Sequence, residues 1–60
     1  METLVDLIEL AHLSARNARV TNSREVARTL WKMATEYAER ASKLDHGKMP
    51  DIGEPPALLR

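Results

Sequence analysis

From Asn22 to Leu44 the chain runs without a glycine or a proline. Within that run Ala27, Leu30, Ala34, Tyr37, Ala41 and Leu44 recur at spacings of 3, 4, 3, 4 and 3. A strand needs period 2, whereas this heptad-like stripe needs a helix. Most other residues of the run are good helix formers. Asn22 reads as the N-cap, with Glu25 three residues on as in a capping box. Gly47 suits the left-handed position after the last turn, and Pro50 blocks any resumption. Glu36–Arg40 and Glu39–Lys43 are i,i+4 pairs in the favourable order, each contributing about 0.3 kcal/mol.

The stripe has two textures. Val26, Leu30, Met33, Tyr37 and Leu44 form a bulky flank. Ala27, Ala34, Ala38 and Ala41 form a row of small residues beside it, with Trp31 at the far edge. Small residues at this spacing let a second helix approach to about 8 Å, the lower end of the usual range.

That second helix lies upstream. Thr3 is a suitable N-cap, Asp6 stands at the box position, and Glu2, Asp6 and Glu9 favour the positive end of the dipole. Leu4, Ile8, Ala11, Ala15 and Ala18 make a stripe at 4, 3, 4 and 3. Arg16 and Arg19 suit the negative end of the dipole, so the helix is expected to stop between them. The connector Arg19-Val-Thr-Asn22 is short, and short links make antiparallel neighbours. The fold expected is therefore all-α: an antiparallel hairpin with helices over about 3–18 and 22–45. Ala11, Ala15 and Ala18 then face Ala27, Ala34 and Ala41 in reverse order.

Residues 48–60 differ in character and hold all three prolines of the chain. They are expected to be extended, with polyproline II character around Pro55-Pro56. Met49, Ile52, Leu58 and Leu59 give this tail apolar handholds, so a strap folded along the hairpin and a frayed terminus are both open.

Size now matters. A chain of 60 residues buries only about 60% of its unfolded surface, so its own core is marginal. Such scaffolds need disulfides, a metal or oligomerisation. There is no cysteine, and the two histidines lie far apart at positions 12 and 46, so oligomerisation is the support that remains. Val5, Leu10 and Leu13 also point away from the main stripe of the first helix. Together with Val26, Leu30, Trp31, Met33 and Tyr37 they are the candidate interface for a homodimer, two hairpins pairing into a four-helix bundle. Another protein held by the first helix or the tail is a further candidate partner.

Nine basic and nine acidic residues cancel, which selects neither nucleic acid nor an anionic membrane. No apolar run reaches the roughly 18 residues of a spanning helix, and no signal peptide stands out. With Met1 at its start, the chain reads as a complete small gene product, cytoplasmic by default.

No catalytic constellation emerges. His12 is a lone residue on the margin of the first helix. His46 is explained as a helix-end cation. Ser14, Ser23 and Ser42 have no histidine partner and no glycine-rich turn. No cofactor or metal site is expected, and no enzymatic role. One asymmetry stands out. Arg16, Arg19, Arg24, Arg28 and Lys32 surround the hairpin turn against Glu25 alone, four net positive charges. These five residues could contact phosphates, which makes a small nucleic-acid-associated regulator the alternative to a self-associating, structural or adaptor interaction module.

The segment Val26-Ala-Arg-Thr-Leu-Trp-Lys-Met-Ala-Thr-Glu-Tyr, followed by Ala38-Glu-Arg-Ala, resembles a group of short uncharacterised α-helical hairpin proteins common in rhizobia and related alphaproteobacteria. Asn22 as cap, then Leu30, Met33, Ala34 and Glu36 as the core "L-x-x-M-A-x-E", carry the likeness over about residues 11–44. It implies a hairpin of bacterial origin and no particular activity.

Overall fold

A computed structural model describes residues 3–60. Two helices, α1 (Leu4–Val20) and α2 (Arg24–Leu44), are joined by a three-residue turn and pack side by side as a hairpin. Both helices form where the apolar period is 3.6, and no strand occurs among the described residues.

The ends differ in detail from the expectation. Thr3 caps α1 as foreseen, its hydroxyl accepting from the Asp6 amide at 3.2 Å. Glu2 lies outside the described residues. The helix runs on to Val20, past the expected stop near residue 18. Basic residues favour a C-terminus but do not end a helix; here Thr21 does so by turning extended, with φ −66° and ψ 149°. At α2 the cap is Ser23, not Asn22: its hydroxyl accepts from the Val26 amide at 3.2 Å. Both residues are good caps, and with α1 running two residues further to Val20 the start moves by one position.

The C-terminus of α2 is a Schellman turn. Asp45 is the C-cap, and the Gly47 amide donates to the Ser42 carbonyl at 2.8 Å. In that register the left-handed C′ position belongs to His46 (φ 53°), with Gly47 (φ 89°) following it. Gly47 is left-handed as expected, but one residue later.

The seam is built from small side chains. Ala11, Ala15 and Ala18 on α1 and Ala27, Ala34, Ala38 and Ala41 on α2 are all fully buried. Ser14 is buried among them on α1, and Leu7 is the one large helical side chain that is fully enclosed. Enclosing a leucine contributes about 2 kcal/mol, a methyl much less. This core is therefore close-packed but small.

Past Gly47 the chain turns back over the hairpin. Pro56 (φ −57°, ψ 143°) has polyproline geometry and is fully buried. The chain then closes with a single 3-10 turn, Ala57–Leu59, which packs on α2. Extended geometry thus gives way to a turn at the very end.

The Cα trace spans 33 × 21 × 12 Å. Two stacked helix layers need about 13–14 Å. The short dimension holds one layer of helix only.

Candidate functional site

The tail is held by side chains that read its backbone. On α1, His12 Nε2 donates to the Asp51 carbonyl at 3.0 Å. One further turn-pair along, an Arg19 terminal nitrogen donates to the Ile52 carbonyl at 2.8 Å and the Glu54 carbonyl at 3.2 Å. On α2, Arg24 Nε donates to the Leu58 carbonyl at 3.1 Å. The tail shapes itself to receive them. The Gly53 amide donates to Asp51 Oδ1 at 2.9 Å, and Gly53 adopts φ 82°, open to glycine at low cost. Arg60 donates to Glu54 Oε2 at 2.8 Å and to the Pro55 carbonyl at 3.3 Å, closing the last loop.

These contacts define one face of the hairpin. At about 100° per residue, His12 and Arg19 share a flank of α1, and Arg24, Arg28 and Trp31 share a flank of α2. Two of the five basic residues named as possible phosphate contacts, Arg19 and Arg24, therefore also bind tail carbonyls. Arg19 was also expected to serve the dipole of α1, yet its head reaches into the tail. Arg16, Arg28 and Lys32 stand on exposed surface. A depression of about 260 Å³ lies between α2 and the end of the tail, lined by Arg24, Arg28, Leu58, Leu59 and Arg60.

The opposite face is bare. Leu10 lies on the far flank of α1 with Leu13 at its outer edge, and Val26, Leu30, Met33, Tyr37 and Leu44 lie on the far flank of α2. Leu13 is 53% exposed, Val26 46% and Leu44 56%. Leu10 and Met33 are also exposed, while Leu30 and Tyr37 are half-buried. The Arg40 guanidinium sits 5.8 Å from the Tyr37 ring centre at the margin of this face. Six of the eight residues nominated for association thus share one surface. Val5 and Trp31 do not: register places both on the side toward the tail.

Among the described residues, no three His, Asp or Glu side chains gather as a metal site. His12 is committed to the tail, and His46 to the turn after α2. No described helix is long and apolar enough to cross a membrane. The chain matches no protein-family model, no curated protein and no solved structure.

Proposed function

We propose that this protein is a small non-enzymatic interaction module that self-associates through the face opposite its tail, two hairpins pairing into a four-helix bundle. The observation that carries this reading is the distribution of apolar bulk. Val26, Met33 and Leu44 of α2 are turned out, while the seam holds alanine. A stable domain packs at least two layers around its core. Among the described residues, this one has a helix layer, a tail over one side, and nothing over the other.

Total surface is consistent with an uncovered face. The chain exposes 4437 Å², against about 3,950 Å² for a compact monomer of this mass. The excess, roughly 500 Å², is that of a flat chain that encloses little of its own apolar surface. The face is also self-complementary in kind: leucines and methionine would interdigitate, with the Arg40–Tyr37 pair at the rim.

The test is solution mass together with melting. Light scattering is expected to give twice 6.8 kDa, and the melting temperature is expected to rise with protein concentration. Leu13→Glu combined with Met33→Glu should yield a monomer, whereas Val5→Glu should leave the dimer intact. A monomer with a concentration-independent transition would overturn the proposal. The alternative, nucleic-acid binding by Arg16, Arg19, Arg24, Arg28 and Lys32, has less support because Arg19 already spends a terminal nitrogen on two tail carbonyls.

A further inference from the structure

The depression between α2 and the end of the tail lies on the side away from the proposed dimer face. Three arginines from two distant segments line it: Arg24 and Arg28, one turn apart on α2, and Arg60 from the tail. Two of them are oriented by hydrogen bonds to the tail. Arg24 spends its Nε on the Leu58 carbonyl, which sets the plane of the group and leaves the terminal nitrogens to donate elsewhere. Arg60 is anchored by Glu54 Oε2 and the Pro55 carbonyl, both bound by one terminal nitrogen. Leu58 and Leu59 supply an apolar wall.

A guanidinium held in place by its own hydrogen bonds loses little entropy when it binds an oxyanion, and its fork matches two oxygens at once. The geometry points to a receptor for one phosphoryl group, a phosphate or phosphomonoester, at Arg24, Arg28 and Arg60. Glu54 and Glu25 oppose the three cations, so the site depends on positioned donors more than on net charge. The depression, about 260 Å³, has room for a phosphate group. Because Arg24 and Arg60 are both positioned by the tail, the site exists only while the tail is docked.

The probe is inorganic phosphate added to the intact, isotope-labelled protein at low ionic strength, followed by NMR. Saturable shifts are expected at Arg24, Arg28, Arg60 and the Leu58–Leu59 amides. Arg28→Gln should weaken binding about tenfold, the worth of one charged hydrogen bond, with the fold and the tail signals unchanged. Arg16→Gln should have no effect. A second arm uses adenosine monophosphate, and a third uses phosphatidylcholine vesicles with and without phosphatidic acid. Sedimentation that requires phosphatidic acid and is lost with Arg28→Gln assigns the phosphate to a lipid headgroup. Retained phosphate binding without sedimentation assigns it to a soluble ligand. Shifts that never saturate, that spread equally to Arg16 and Lys32, or that survive Arg28→Gln unchanged would overturn the inference. The dimer proposal is untouched by that failure, since its residues lie on the other face.

Discussion

Arg19 donates from α1 to the carbonyl of Ile52, 33 residues later, at 2.8 Å. The same nitrogen also reaches the Glu54 carbonyl. One side chain therefore spans the middle of the tail and carries the docking that the helices begin. Its target is backbone, so the tail sequence at Ile52 and Glu54 matters less than its shape.

Arg19→Ala is expected to free the segment from Asp51 to Glu54. Charged hydrogen bonds are worth about 1.5–3 kcal/mol when well made, and exposure here reduces the loss to roughly 1 kcal/mol. The check is a chemical melt combined with amide exchange. Protection should fall in the tail and persist in α1 and α2. Equal loss in all three would show that the tail folds as one unit with the hairpin.

The three left-handed residues respond differently to substitution. A Cβ at Gly53 would stand 3.1 Å from the Arg19 terminal nitrogen, in a residue already at φ 82°. Gly53→Ala should therefore cost more than the roughly 1 kcal/mol of backbone strain alone and should release the tail. A Cβ at Gly47 meets nothing within 4 Å, so Gly47→Ala should cost only the strain. His46→Gly should be neutral or stabilising, because it relieves a side chain held at φ 53°. Thermal denaturation of the three variants orders them.

Ser23 and Asn22 separate cleanly. Ser23→Ala removes the acceptor for the Val26 amide and is expected to cost about 1 kcal/mol. Asn22→Ala should change stability by no more than a few tenths of that. Denaturant midpoints of the two single variants are sufficient to decide it, and the reverse ranking would place the cap one residue earlier.

Much of the hairpin is legible in the sequence. The alanine rows give both helices and the seam between them, since only small residues at a 3.6 period allow such an approach. Cap position was less legible, because Asn22 and Ser23 are equally capable hydroxyl or amide acceptors and the outcome rests on where Val20 ends α1. Ser14 was missed as a core residue for a simple reason: its type suggests surface, yet it occupies the position between Ala11 and Ala18 on the buried stripe. The uses of Arg19 and His12 could not be read at all. Their partners are carbonyl groups, which every residue carries, and no side-chain pattern marks them.

The period and size of the apolar residues determined by themselves that this chain forms two helices with an alanine seam. They also determined that its bulky side chains exceed what one hairpin encloses. Tertiary structure alone decided which flank the tail takes. It covers the side of His12, Arg19, Arg24 and Trp31 and leaves Leu10, Leu13, Val26 and Met33 bare. The reason is physical: helix periodicity is a local property of the chain, whereas the docking of an extended segment depends on donors and carbonyls brought together across more than thirty residues.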